Sequence, residues 1–205
     1  MDFFPDPPPP PEREEEEPAQ PAWSGPPEDV LAGVVPLELV LGRSSSTVVT
    51  LSGVRAFPTG LSMRLGVRLR GRLSGVDVYD EVFDNAHARV HEPSWRRGRL
   101  KWGFELADGR RATNVDPWPG SELPDPHGVP PADWQPARPV LHGGGGGGSP
   151  RSVDRDYWLW PLPPPGSLRV VCQWLDQGIE QSVHELDTEV FLQAAQRAQP
   201  LWPQG

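Results

Sequence analysis

The sequence predicts an all-β fold: an antiparallel β-sandwich of about seven or eight strands, immunoglobulin-like or jelly-roll-like, with one C-terminal helix. Three observations predict it. Short runs alternate apolar and polar residues, Gly, Pro and Asp-Gly turn signals separate them, and no helical pattern intervenes as a parallel α/β sheet would require.

The first runs lie between about 33 and 74. Val35, Leu37, Leu39 and Leu41 alternate with smaller or polar neighbours, and Val49, Leu51 and Val54 follow. Their spacing slips at Gly53, which predicts a β-bulge. Leu61, Met63, Leu65, Val67 and Leu69 alternate with Ser62, Arg64, Gly66, Arg68 and Arg70, the clearest half-buried strand. Pro58-Thr59-Gly60 between these runs predicts a hairpin loop with Gly60 at positive φ. Leu100, Trp102, Phe104 and Leu106 form the next strand, and Asp108-Gly109 predicts a type I′ return through Arg110 to Val115. A third hairpin is expected from Tyr157–Leu162 and Leu168–Trp174, turning at Pro165-Gly166. A weaker strand, Ile179 to Glu185, follows. The helix begins where Asp187 can cap it and Leu186 with Phe191 stands at hydrophobic-staple spacing. Val190, Phe191, Ala194, Ala195 and Ala198 make its apolar stripe, Pro200 stops it, and Leu201-Trp202 is expected to return to the sandwich.

Two segments depart from this pattern. Residues 1–29 hold nine acids against Arg13 alone, with ten prolines, so they carry eight of the nine net negative charges. Such a segment buries too little apolar surface to offset its ordering entropy, and it is predicted to be a disordered acidic, proline-rich tail. Residues 117–152 contain nine prolines and eight glycines, six of them consecutive from Gly143 to Gly148. They are predicted to be a long irregular insertion, flexible at the glycine end, within a single domain spanning 30–205. About 140 residues remain for one ordinary core.

Composition excludes several classes. No apolar run is long enough for a transmembrane helix. The opening residues lack a signal peptide's basic and apolar regions, Asp2 cannot be myristoylated, and a lone Cys172 suits a reducing compartment, so a cytoplasmic location is expected. The net charge of −9 argues against nonspecific nucleic-acid binding. Arginine supplies 18 of the 19 bases, a skew that fits a GC-rich bacterial genome.

Four sets of residues are candidates for a site. Trp158 and Trp160 share one strand face, with Tyr157 and Leu159 on the other, so the strand must be covered on both sides. Either the tryptophans form a ligand-stacking platform, as for sugars, or a roof containing Trp118 and Trp134 covers them; the roof is the preferred reading. Arg64, Arg68 and Arg70, together with Arg99 and Lys101, would form an anion-binding stripe if their two strands were neighbours in one sheet. Glu12 to Glu17 would then screen that stripe; a solvated, aggregation-deterring face is the plainer alternative. His87 and His91, with Asp84 and Glu92, have metal-ligand spacing on a helix, but no second cluster supports a metal site. Cys172 alternates with Val170 and Trp174 and reads as a buried hydrophobe. Asp154 with Asp156, and His184 with Asp187, carry no distinctive signal. No nucleophile elbow, phosphate loop or dinucleotide fingerprint is present, and no cofactor is implied.

The runs Gly53–Leu61, Trp102–Arg110 and Tyr157–Gly166 resemble pieces of small actinobacterial β-rich proteins of no known activity. The resemblance implies a compact β-rich domain over roughly 35–202 and transfers no site residue. The function expected is therefore a non-catalytic interaction module for a protein partner, with Pro7 to Pro11 favouring polyproline II in its acidic arm. A ligand- or carbohydrate-binding domain using the tryptophan face is the alternative, and an enzyme is third.

Overall fold

A computed structural model describes residues 20–71, 78–83, 98–123 and 134–202. In chain order its strands are β1 (Val30–Leu31), β2 (Gly33–Val34), β3 (Leu39–Arg43), β4 (Thr47–Phe57), β5 (Gly60–Leu69), β6 (Lys101–Glu105), β7 (Arg111–Thr113), β8 (Val140–Ser149), β9 (Ser152–Trp160), β10 (Ser167–Trp174), β11 (Ile179–Asp187) and β12 (Gln199–Pro200), with helices α1 (Val78–Phe83) and α2 (Glu189–Gln196). The fold is the expected all-β sandwich. The large sheet runs β2-β4-β5-β9-β8, with β3 beside β2 on the same edge of β4; the small sheet runs β11-β10-β6-β7. Three of the twelve strands among the described residues, β1, β2 and β12, are two-residue pairings, which leaves nine longer strands against the seven or eight anticipated.

Alternation along each strand builds the core between the sheets. Leu51, Leu61, Met63, Leu65, Val67, Val153, Tyr157 and Leu159 point inward from the large sheet. Trp102, Phe104, Leu168, Val170, Cys172 and Trp174 meet them from the small one. Trp102 stands edge-on to Tyr157 with centroids 4.7 Å apart, a contact that joins the sheets at mid-core. A buried hydrogen bond from Thr47 Oγ1 to Gln177 Oε1, 2.9 Å, ties them at one end. Phe191, Ala194 and Ala195 of α2 close another flank.

The turns partly follow the sequence. Gly53 has φ 62° and the β4–β5 register shifts between Ser52 and Arg55, the expected bulge. Gly60 is needed for a different reason from the one anticipated. It lies in β5, and a Cβ there would come within 2.4 Å of the Leu159 carbonyl and 2.7 Å of the Trp158 ring. At the β6–β7 turn the Gly109 N–H donates to the Leu106 carbonyl and Leu106 N–H to the Arg110 carbonyl, with Gly109 at φ 82°. This is a three-residue loop closed by a left-handed glycine, not the two-residue type I′ turn. Asn114 then replaces strand pairing: its Oδ1 accepts the Trp102 N–H and its Nδ2 donates to the Leu100 carbonyl.

The third hairpin does not form. β9 is already paired on both sides, to β5 and β8, so the chain after Trp160 crosses to the small sheet, where β10 pairs with β6 and β11. The helix starts as expected, with Asp187 Oδ1 accepting the Glu189 N–H. Val190 is exposed rather than part of the stripe, and Leu201 and Trp202 are exposed rather than returned to the core. Pro200 instead pairs with Val30, which ties the chain's C-terminal end to β1.

The glycine run is the largest departure. The segment expected to be irregular contains β8, and Gly143 to Gly148 continue that strand along β9 as an edge of the large sheet. Crowding by β9 requires glycine at three of these positions, Gly143, Gly146 and Gly148, and at Gly143 the neighbour is a buried arginine. Arg155, 6% exposed, projects inward from β9 and donates to the carbonyls of Val82 (2.8 Å) and Phe83 (3.2 Å) at the end of α1, and to Gly144 (3.3 Å). Its guanidinium also lies over the Phe83 and Tyr157 rings. A Cβ on Gly143 would fall 2.4 Å from that guanidinium, and one on Gly146 2.2 Å from the Asp154 carbonyl, whereas Gly145 and Gly147 face open space. Gly143→Ala is therefore expected to destabilise the domain by about 1–3 kcal/mol. Gly145→Ala is expected to leave stability unchanged or raise it slightly, a contrast that urea unfolding of the two variants reads directly.

Candidate functional site

The tryptophan face is roofed. Trp158 is 3% exposed, edge-on to Phe57, and its indole N–H donates to the Ala22 carbonyl at 3.0 Å. Trp118 and Trp134, the residues expected in the roof, gather on Trp23, next to Ala22, each with a ring centroid 5.3 Å from it. Trp118 also lies 4.9 Å from the His142 ring. Trp23 is 2% exposed and sits within the segment read as an acidic tail, so residues 20–29 are part of the packed structure. Its signal in the sequence was its isolation, as the single tryptophan in the first 29 residues. Trp160 is half-buried. No open aromatic platform is left on this strand.

The arginine stripe splits because β5 and β6 belong to different sheets. Arg64 and Arg68 point outward from the large sheet and pair with Asp156 and Asp154, both at 2.8 Å, which also accounts for the two loop-side carboxylates. Arg70 is exposed just beyond β5. Arg99 pairs with Glu81 of α1 at 3.2 Å, and Lys101 stands on the outer face of the small sheet. His87, His91, Asp84 and Glu92 lie outside the described residues; among the described ones no group of three His, Cys, Asp or Glu side chains is placed to hold a metal. Cys172 is buried, and burial pushes its thiol up to about 12, so it is an unreactive core residue. His184 contacts the Leu41 carbonyl through a ring nitrogen at 3.2 Å.

One surface that remains open among the described residues is the outer face of the small sheet. Register places its outward residues in cross-strand rows. Glu185, Arg169, Glu105 and Arg111 form one row of alternating charge. Glu105 takes both neighbours, Arg111 Nε to one oxygen at 2.7 Å and Arg169 to the other, and the Arg169 bond followed by the Arg111 bond holds the Glu105 carboxyl below its usual range. The next row is Val183, Val171, Gly103 and Thr113, uncharged, with Val183 43% exposed. Gln173 and Lys101 form the third row. Because Gly103 has no side chain, the middle row sinks into a hollow of about 320 Å³ walled by the charged ladder and by Lys101, Gln173 and Gln181. Gly103 is itself fixed, since a Cβ there would fall 2.3 Å from the Ala112 carbonyl.

Chemically the hollow has an apolar floor between two unlike polar walls. It offers apolar contact at the floor, amide donors and acceptors and an ammonium along one wall, and a prepaired charge ladder along the other. Alternation with Trp102 and Phe104 turns Lys101, Gly103 and Glu105 outward, but the sequence does not carry the strand order that sets them beside Val171 and Val183. No protein-family model, curated protein or solved structure matches the chain.

Two outcomes follow. At about 0.5 M salt a 20–205 fragment is expected to keep the unfolding midpoint of the full chain, while Trp23→Ala is expected to cost about 3–5 kcal/mol in urea denaturation. The Glu105 carboxyl is lowered in the folded state, so its contribution to stability is present above the unfolded value near 4.5 and is lost as pH falls through the folded value. Glu105→Gln should thus differ from wild type at pH 7, and the difference should shrink as pH falls below 4.5 through the folded value, read from thermal midpoints along an acid titration.

Proposed function

We propose that the chain is a non-catalytic β-sandwich module that binds a protein partner across the outer face of the small sheet. The observation that carries this reading is the sunken uncharged row over Gly103, flanked by Val171 and Val183 and left open between two polar walls, while the tryptophan face of the opposite sheet is roofed. An apolar floor with a polar rim is the anatomy of a protein interface, and a hollow this size takes one or two apolar side chains of a docked segment. The fixed Glu105 ladder holds one wall rigid, which lowers the ordering cost of binding. Lys101, Gln173 and Gln181 supply the hydrogen bonds that align the segment.

The experiment compares partners captured from extracts of the native host by the wild-type chain, by Val171→Glu and by an Arg151→Gln control at the exposed β8–β9 turn, each checked for folding by circular dichroism. Capture is expected to fall at least tenfold with Val171→Glu, corresponding to about 1.4 kcal/mol or more, and to persist with Arg151→Gln. Equal capture by folded Val171→Glu overturns this face as the site.

A further inference from the structure

The outer face of the large sheet has its own chemistry. Arg43, Val48, Arg68 and Ser152 share one cross-strand row, Ser52, Arg64 and Asp156 a second, and Arg55, Ser62 and Trp158 a third. Four arginines thus stand on this face against Asp154 and Asp156. Each aspartate engages only part of a guanidinium, which has five donors, and the Arg64–Asp156 pair is about half exposed. Among the described residues Arg43 and Arg55 have no ion-pair partner. Where Gly53 bulges, the surface opens into a hollow of about 310 Å³ lined by Arg55, Arg64, Ser52, Ser62, Asp156 and Pro26. Two guanidinium groups and two hydroxyls around one depression make a cradle for carboxylates.

Pro26 is what connects this cradle to the rest of the sequence. The chain reaches it from Gln20, whose amide lies against Gly25. The run Glu12-Arg13-Glu14-Glu15-Glu16-Glu17 ends three residues before Gln20, within about 10 Å of extended chain. The run spans about 20 Å when extended, and so does β5 from Ser62 to Arg68. Residues 1–19 hold seven acids against one base, the sign opposite to that of the face. We propose that the outer face of the large sheet is an acidic-peptide binding surface whose resident occupant is the chain's own Glu12–Glu17 run, laid along β5 from the Arg55/Arg64 cradle toward Arg68 and Arg43. Tethering makes this docking intramolecular, so modest charge–charge contacts suffice and an acidic partner in trans must compete with a high local concentration. The site is separate from the small-sheet face, and either assignment can fail without the other.

The test uses the full chain with a nitroxide on Arg13→Cys, which labels selectively because Cys172 is buried. At low salt the label is expected to broaden the backbone amide resonances of Val48 and Arg68, and the broadening should vanish near 0.5 M salt, where charges about 4–5 Å apart are already screened. It should also vanish in Arg55→Gln/Arg64→Gln. Independently, a deca-glutamate peptide should bind the 20–205 fragment about tenfold more tightly than it binds the full chain. Broadening confined to residues near Gln20, broadening on Gly103 and Val171 instead, or equal peptide binding by both chains overturns the proposal.

Discussion

The structure depends on β9 being apolar on both faces while it sits between two other strands. Tyr157 and Leu159 look into the core, Trp158 looks out, and hydrogen bonding to β5 and β8 leaves no edge along most of the strand. A strand of this kind must be covered twice. The small sheet covers the inner side, with Trp102 against Tyr157. On the outer side Phe57 of β4 stands edge-on to Trp158 and the sequence-distant Ala22–Trp23 segment adds to the cover, with Trp118 and Trp134 of the long connection gathered on Trp23. The Trp158 indole N–H would otherwise be an unpaired donor in an apolar site, and the Ala22 carbonyl satisfies it.

That requirement explains much of what looked anomalous. The glycine run tolerates the inward guanidinium of Arg155, which in turn holds α1 by its final carbonyls. A buried cation is costly unless hydrogen-bonded, and the carbonyl end of a short helix, with two aromatic faces, is the compensation found here. Gly60 yields the space the Trp158 ring fills. Positions that read as loop or linker composition are therefore packing solutions around one strand.

This also shows where legibility in the sequence ended. Alternation located β5, β6, β9, β10 and β11, because period-2 burial is a local property of each strand. The bulge at Gly53 and the Asp187 cap were legible for the same reason. Strand partners were not, since pairing is decided by which edges are already taken. The loop at Pro163–Gly166 has hairpin chemistry, yet β9 had no edge left to give. Arg64 and Lys101 illustrate the cost for the site. Each was correctly placed facing outward, but assigning them to one stripe needed the sheet order, which put them on opposite outer surfaces. The roof failed in a different way: Trp23 lies in a stretch whose average composition is that of a disordered tail, and an average over 29 residues hides one buried side chain at its end.

The two outer faces then differ in kind. On the small sheet, charge is satisfied within the sheet by Arg111, Glu105 and Arg169, so the neutral row beside it is what a partner would meet, and apolar burial must supply affinity. On the large sheet, arginines exceed the aspartates available to pair with them, so an anionic segment proposed there would be held electrostatically and released by salt. A sandwich needs its inner faces for stability, and only its outer faces are free to differ. Here the difference arises from single positions in register: Gly103 and Val171 open a depression on one sheet, and the Gly53 bulge brings Arg55 level with Ser62, beside Arg64, on the other. One small core can therefore carry two chemically different outer faces without being altered.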